Sequence, residues 1–198
     1  MKTYSQAGQD CFVLACLKSK RNGSFLEIGS NHPIIINNTY QLEKDYGWRG
    51  LMIEYDPQWE PHYRSHRLSD YLIQDATTID FTSRAWSRDI DYLQIDLDVT
   101  NRSTLTTLEH LDDQFLNNHR FAVITFEHDI YNGNHFDTRQ ISRAIFDKRG
   151  YVRVFSDVQN EGNAFEDWYV HPDLVDMNYI QQIKRDDSIA YTEILKLL

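Results

Sequence analysis

Cysteine is scarce in this sequence: Cys11 and Cys16 are the only two in 198 residues. They stand five positions apart in a stretch that reads as one helix, and this spacing turns them to different faces, so we expect no disulfide between them. Neither belongs to a metal-binding cysteine motif. Packing cysteines of this kind are typical of a reducing compartment, and we expect a cytoplasmic location.

The sequence also has fewer positive than negative charges, and it lacks long apolar runs. Lysine and arginine number 20 against 30 aspartates and glutamates, which gives a formal charge of −10 at pH 7. Such a charge repels phosphate backbones and anionic membranes, so we expect neither nucleic acid nor a membrane as partner. No apolar run approaches the roughly 20 residues of a membrane span, and the polar segment Met1–Asp10 does not resemble a signal peptide.

Glycines are missing where a dinucleotide site would need them. Such a site uses Gly-x-Gly-x-x-Gly after its first strand, so that a pyrophosphate can approach the backbone. Here Gly29 fills the first position, but Asn31 and Ile34 stand at the second and third. Pro33 and the β-branched residues Ile34–Ile36 also hinder close approach of a phosphate. This weakens the case for a nicotinamide oxidoreductase and favours a ligand without phosphates.

The sequence does contain a regular alternation of strand and helix patterns. We predict strands at Ser24–Ile28, Arg49–Glu54, Tyr71–Gln74, Ile90–Ile95, Phe121–Phe126, Tyr151–Phe155 and Asp167–Val170. We predict helices at Gln6–Ser19, Asn37–Tyr46, Gln58–His66, Ser103–Phe115 and Thr138–Arg149, and a helical tail from Asp173. The pattern predicts one α/β domain over residues 1–198, with a Rossmann-like, doubly wound, mostly parallel seven-stranded sheet whose last strand is antiparallel.

Acidic residues stand at the ends of most predicted strands. They are Glu27, Glu54, Asp75, Asp96, Asp98, Glu127 and Asp129. The carboxyl ends of parallel strands meet at one edge of a sheet, and open α/β sheets bind their ligands there. We therefore expect these acids to gather along that edge, although single acids in such positions also cap the following helix or turn.

A cationic, phosphate-free adenosyl compound, S-adenosylmethionine, suits such an edge. Glu54 is placed for the ribose hydroxyls and Asp75 for the adenine amino group, while Glu27 and Gly29 line the methionine part. The predicted cofactor-binding residues are Glu27, Gly29, Ser30, Asn31, Thr39, Glu54, Tyr55, Asp75, Ala76 and Asp96.

Four segments resemble the FkbM-type S-adenosylmethionine-dependent methyltransferases. They are residues 23–57 (GSFLEIGSNHPIIINNTYQLEKDYGWRGLMIEYDP), DYLQIDLD in the fourth strand, ITFEHDIY in the fifth and FEDWYVHP in the last. The resemblance runs from about Ser5 to Pro172, and it implies O-methylation of a hydroxyl on a sugar or related small molecule. Two places depart from the family pattern: His32-Pro33 after the first glycine, and Asp98-Val99-Thr100 after the fourth strand.

His128 and Asp96 are the predicted catalytic residues. Imidazole titrates near neutrality, so His128 is a candidate general base for the acceptor hydroxyl; the alternative is a structural histidine. A second mechanism uses a divalent ion such as Mg²⁺, held by oxygen ligands, to lower the pKa of that hydroxyl. The predicted metal ligands are Asp96, Asp98 and Glu127. Asp98 could instead start a helix.

Two further functions stay open. Asp96-Leu97-Asp98 has the Asp-x-Asp form that many metal-dependent nucleotide-sugar glycosyltransferases use, although that function leaves the site after the first strand unexplained. A non-catalytic binding module with a Rossmann-like fold is the other alternative, and the unusual His32-Pro33 pair keeps it open.

Overall fold

Eight strands form a single sheet in the computed structural model, which describes residues 3–133 and 135–198. They are β1 (Ser24–Ile28), β2 (Arg49–Glu54), β3 (Asp70–Ile73), β4 (Asp89–Ile95), β5 (Arg120–Glu127), β6 (Val152–Asn160), β7 (Asn163–Val170) and β8 (Arg185–Ala190). Their spatial order is β3-β2-β1-β4-β5-β7-β6-β8.

The first five strands run parallel, and β7 runs against both β5 and β6. This confirms the predicted fold class: an α/β, mostly parallel sheet with a reversed strand close to its end. The chain order reverses between β1 and β4, which is the place where open α/β sheets bind ligands.

Seven α-helices are described around this sheet: α1 (Gln9–Cys16), α2 (Tyr40–Tyr46), α3 (Glu60–His66), α4 (Ser103–Gln114), α5 (Phe136–Lys148), α6 (Met177–Ile183) and α7 (Tyr191–Leu197). Because side chains alternate along a strand, each strand contributes to two cores. On one face Phe25 and Trp168 pack with Phe12 of α1. On the other face Ile95 packs with the cluster that contains Leu108 and Phe146.

The eighth strand corrects the predicted helical tail. β8 lies between α6 and α7 and pairs in parallel with β6, with Phe155 opposite Arg185 and Gln159 opposite Ala190. Its sequence, RDDSIA, is largely exposed and has no alternation of apolar and polar residues. An edge strand of this kind is stabilised by its partner strand, and its own sequence carries little signal.

The first helix also differs from its prediction, since it begins at Gln9 after the left-handed residue Gly8. Ser5 does not cap it. The carboxylate of Asp10 accepts hydrogen bonds from Thr3 Oγ1 at 2.6 Å, Tyr4 N at 2.9 Å and Ser5 Oγ at 2.8 Å. Residues 3–8 therefore fold back as a strap over the start of α1, and Tyr4 O also accepts a hydrogen bond from Asn37 N in the loop after β1.

Both cysteines are buried, and no disulfide joins them, as predicted. None of the described helices is long and apolar enough to cross a membrane.

Candidate functional site

Two adjoining cavities open at the carboxyl ends of β1, β2 and β4. The first has a volume of about 560 Å³ and is lined by Gln6, Glu27, Gly29, Ser30, Asn31, His32, Ile35, Ile36, Asn38, Glu54, Tyr55, Asp96, Leu97 and Asp98. The second, of about 450 Å³, is lined by Ile53, Tyr55, Gln74, Asp75, Ala76, Leu97, Asp98, Asn101 and Ser103. They share Tyr55, Leu97 and Asp98, so together they form one elongated cleft.

The cleft gathers nine of the ten residues that the sequence assigns to the cofactor. Seven of them line the first cavity: Glu27, Gly29, Ser30, Asn31, Glu54, Tyr55 and Asp96. Asp75 and Ala76 line the second. Thr39 is the exception, because its hydroxyl lies beneath the cleft and donates to Glu27 at 2.6 Å.

Glu27 organises the floor of the first cavity from beneath. Its carboxylate accepts hydrogen bonds from Asn38 N at 3.1 Å, Thr39 Oγ1 at 2.6 Å and Asn37 Nδ2 at 3.4 Å. Burial raises the pKa of Glu27, while Arg67 opposes that shift. These bonds attach Glu27 to the segment that leads into α2.

Arg67 completes this buried network, and sequence patterns did not single it out. Its side chain is 0% exposed. It donates to Glu43 at 3.1 Å, Pro33 O at 3.2 Å and Thr39 Oγ1 at 2.8 Å. The guanidinium of Arg67 thus links the segment just before β3 to α2 and to the loop after β1. A lone arginine before a predicted strand carries no recognisable motif.

Asn38 offers the first cavity a free polar atom. The residue is 6% exposed and lines the cavity, yet its Oδ1 has no hydrogen-bond partner among the described residues. Buried polar atoms are usually satisfied, so an orphan of this kind beside a cavity suits a ligand that donates a hydrogen bond. The ammonium group of an amino acid moiety is such a donor.

Glu54 joins the loops that follow β1 and β2. Its Oε2 accepts a hydrogen bond from Asn31 N at 2.7 Å, and its Oε1 accepts one from Asp56 N at 2.8 Å. An ionised carboxylate has lone pairs beyond these two, so Glu54 can still accept from a vicinal diol in the first cavity.

Asp75 and Asp98 have a double role at the cleft wall. Asp75 Oδ1 accepts from Thr77 N at 2.9 Å, and Asp98 Oδ1 accepts from Thr100 N at 2.8 Å. Each acid therefore caps the turn that follows it. This capping is the other role expected of acids at strand ends. Both still line the second cavity.

Asp96 is the acid of the cleft whose pKa is raised to a value that suits proton transfer. Its side chain is half-buried and lines the first cavity. Burial, with Asp129, Glu27 and Glu54 nearby, raises the pKa of Asp96 to about 7. A carboxyl group that titrates near neutrality can accept a proton from a bound hydroxyl and return it to solvent.

His128, the predicted general base, lies outside the cleft. The side chain is 0% exposed, and its Nε2 lies 3.4 Å from Asp157 Oδ1 and 3.5 Å from Asp167 Oδ1. It lines neither cavity of the cleft. The chain turns directly after His128, because Asp129 has a φ of 46°. The geometry fits a structural histidine.

The predicted metal ligands do not come together either. Among the described residues, the one group whose candidate ligand atoms cluster is His128 with Asp157 and Asp167, rather than Asp96, Asp98 and Glu127. Arg143 and Arg139 already pair with that group: Arg143 Nε lies 2.6 Å from Asp167, and Arg139 Nη1 lies 2.9 Å from Asp157. Two guanidinium groups already pair with the two carboxylates of this group, so the residues do not fit a divalent ion.

A third, smaller cavity of about 100 Å³ adjoins the first through Gln6. Its lining residues are Gln6, Glu127, Asp129, Tyr131, Asn160, Glu161, Asn163 and Phe165. Gln9 of α1 links the strap next to Gln6 with β7. Its Oε1 accepts from Ala7 N at 2.8 Å, and its Nε2 donates to Glu166 of β7. The sequence pattern places Gln6 in a helix and gives no sign that it lines a cavity.

Comparison with solved structures identifies the fold, whereas comparison of sequences gives no match. No protein-family model matches the chain, and no curated protein sequence matches it. The structure is similar to cofactor-bound Rv0187 from MTB, with a TM-score of 0.57, 15% identity, and 85% of this chain and 81% of that chain covered. The chain has the Rossmann-like methyltransferase fold.

Two other solved structures support this assignment of the fold. SMU.1697c from Streptococcus mutans, in complex with SAH, has a TM-score of 0.55 and 11% identity over 86% of this chain and 99% of that chain. An rRNA methylase from Streptococcus thermophilus has a TM-score of 0.52 and 12% identity over 86% of this chain and 98% of that chain. These identities establish shared architecture, and the chemistry has to be argued from the site.

Proposed function

We propose that this chain is an S-adenosylmethionine-dependent methyltransferase that methylates a hydroxyl group on a sugar or related small molecule. The observation that carries the proposal is the elongated cleft at the carboxyl edge of the sheet, where Gly29, Glu54 and Asp96 come together. The fold supports it, and so does the resemblance of residues 23–57 to FkbM-type enzymes.

The residues of the cleft fit such a cofactor from end to end. Asn38 Oδ1 would accept a hydrogen bond from the amino acid end, and Glu54 would accept from the ribose hydroxyls. The second cavity, beside Asp75 and Ala76, would take the adenine ring. The acids along the cleft favour a cation over a phosphate, since opposite charges attract strongly in partly buried sites.

Methyl transfer to oxygen requires alignment and the removal of one proton. When bound, the cofactor supplies an electrophilic methyl group, and the acceptor oxygen displaces it from sulfur, which keeps the electron pair of the broken bond. The chain holds the acceptor in line and excludes water. We assign Asp96 to take the proton of the acceptor hydroxyl, because it lines the cavity and ionises near neutrality.

The third cavity supports a polyhydroxylated acceptor. Its polar lining is rich in carboxylate and amide oxygens, from Glu127, Asp129 and Glu161 and from Asn160 and Asn163, which accept hydrogen bonds from hydroxyl groups. One structural neighbour is an rRNA methylase, so the fold by itself does not select the acceptor. The formal charge of −10 opposes nucleic acid as the acceptor of this chain.

A ligand screen followed by methyl transfer tests this function. Calorimetry and thermal shift should show binding of S-adenosylmethionine and S-adenosylhomocysteine without added metal, and no binding of NADH. Stabilisation by a nucleotide-sugar with Mn²⁺ alone would instead favour a glycosyltransferase, and failure of every ligand to bind would favour a non-catalytic module.

Transfer from methyl-tritiated S-adenosylmethionine to a panel of sugars tests the reaction itself. Asp96→Asn should abolish most of the transfer while the protein still binds S-adenosylhomocysteine. Asp113→Asn, an exposed position on α4, is the matched control and should leave transfer unchanged. Full transfer by Asp96→Asn would remove the assigned role.

A further inference from the structure

His32 supports the crest (residues 34–36) of the loop after β1, which forms part of the wall of the first cavity. Its Nδ1 lies 3.1 Å from Ile34 N and 3.0 Å from Ile35 N. Both backbone groups are donors, so Nδ1 must present a lone pair, and the proton of the neutral ring must sit on Nε2. The fold therefore requires His32 in its neutral form and in one tautomer.

The crest needs such a support because its backbone is strained. Ile36 has a φ of 55°, in the left-handed region that β-branched residues rarely adopt. Ile35 and Ile36 line the first cavity and are exposed by 62% and 59%. A strained, exposed apolar segment persists only where its surroundings fix it, and the hydrogen bonds to His32 are what the structure provides at Ile34 and Ile35.

Different contacts hold the base of the same loop. Asn31 N donates to Glu54 at 2.7 Å, and Pro33 O accepts from Arg67 at 3.2 Å. At the far end, Asn37 N donates to Tyr4 O at 3.0 Å. The base therefore stays attached when the crest is released, and a change at His32 remains local to the cavity wall.

The surroundings of His32 disfavour a positive charge on its ring. The ring contacts Trp59, with centroids 5.0 Å apart, and His62 of α3, with centroids 6.2 Å apart. His62 in turn stacks on His66 at 6.3 Å. Partial burial, together with His62 and His66, lowers the pKa of His32 below its ordinary value. None of the described carboxylates forms an ion pair with this ring.

We propose that His32 is a pH-sensitive positioning residue for the cofactor cleft: protonation of Nδ1 turns an acceptor into a donor, breaks both hydrogen bonds and releases the cavity wall. The ligand affected is the S-adenosyl compound, so the inference rests on the proposed function. It gives the His32-Pro33 pair, which departs from the family pattern, a physical role.

The loop requires neutral His32, and this sets the direction of the pH effect. Neutral His32 dominates above the ordinary pKa of histidine, so the wall is ordered there. Order is lost as the pH falls through the lowered pKa of the folded protein. If one proton is coupled to release, affinity for the ligand drops by about tenfold for each pH unit below that point.

Calorimetric titration with S-adenosylhomocysteine between pH 8 and pH 5 tests the coupling. The wild-type protein should lose affinity on acidification. His32→Asn should lose less affinity on acidification than the wild-type protein, because an asparagine oxygen accepts from the backbone two residues on and does not titrate. His32→Ala should bind weakly at every pH. Asp96 titrates in the same cavity but is present in all three proteins, so their difference isolates His32.

His62→Gln serves as the matched neighbour control. It removes a titratable ring beside His32 but leaves the Nδ1 contacts in place, so the pH dependence should persist with its midpoint moved to higher pH. Equal pH dependence in wild-type and His32→Asn proteins would overturn the proposal, as would a wild-type affinity that does not change between pH 8 and pH 5.

A readout without ligand separates this inference from the proposed function. Amide hydrogen exchange at Ile34 and Ile35, corrected for the intrinsic effect of pH, should quicken on acidification in the wild-type protein and not in His32→Asn. Protection that is the same in both proteins would contradict the inference even if S-adenosylhomocysteine binds. Absence of binding at every pH, with the exchange effect present, would contradict the proposed function alone.

Discussion

Gly29 lies against the backbone of Asp96: a Cβ built on Gly29 would stand 1.7 Å from the Asp96 carbonyl oxygen. The ends of β1 and β4 therefore meet at a distance that only glycine allows. The φ of 81° at Gly29 adds a second reason for glycine, since other residues are strained there. This contact sets the geometry of the cleft floor on which Asp96 stands.

Gly29→Ala tests that contact. We expect it to lower the free energy of unfolding by more than about 3 kcal/mol, because a backbone clash adds to the strain of the left-handed conformation. Urea unfolding measures the change. Gly150→Ala is a matched control, because Gly150 also has a φ of 81° but nothing lies within 4 Å of its added Cβ. Equal losses in the two variants would show that the contact with Asp96 is unimportant.

Glu54→Ala tests the proposed diol contact. Loss of the carboxylate removes the bonds to Asn31 N and Asp56 N as well as the proposed bonds to ribose. We expect affinity for S-adenosylhomocysteine, measured by calorimetry, to fall about ten- to hundredfold. Glu60→Ala, an exposed change on α3, should leave affinity unchanged. Unaltered affinity in Glu54→Ala would refute the assignment.

Arg67→Met tests the buried network under the cleft. Removing one partner leaves Glu43 as a buried, unpaired charge, which costs about 3–5 kcal/mol of unfolding free energy. Affinity for S-adenosylhomocysteine should fall with it, because Pro33 and Thr39 lose their donor. Arg64→Met removes an exposed ion pair on the neighbouring helix and should change neither quantity measurably.

Asp96 predicts a specific dependence of stability on pH. Its folded pKa of about 7 lies above the ordinary value of 3.8, so the folded state binds the proton more tightly. The stabilisation from this proton is fully present below about pH 3.8 and is lost progressively as the pH rises to about 7. Wild-type protein should therefore lose up to about 3 kcal/mol between pH 5 and pH 8 that Asp96→Asn does not lose. Parallel stability curves for both proteins would argue against the shift.

The acidic edge of the cleft was predictable because a general rule determines it. Alternating strands and helices predicted a parallel sheet, and acids at strand ends then had to meet at its carboxyl edge. Glu54 and Asp96 were found in this way, and both line the first cavity. The missing glycines after Gly29 likewise indicated a site that does not suit a pyrophosphate.

Other parts depend on tertiary contacts that leave no mark in the sequence. β8 forms by pairing with β6, and its own residues carry no strand signal. The burial of His128 beside Asp157 and Asp167 depends on β6 and β7, which come later in the chain. Arg67 and Asn38 matter through a buried contact and an orphaned atom, and neither belongs to a motif.

A crystal structure of the protein soaked with S-adenosylhomocysteine decides whether the cleft is the cofactor site. We expect the ligand in the cleft with its ribose hydroxyls on Glu54, its amino acid end towards Asn38 and its adenine beside Asp75 and Ala76. An empty cleft at saturating ligand, or a ligand bound elsewhere on the molecule, would show that the cleft does not bind this cofactor.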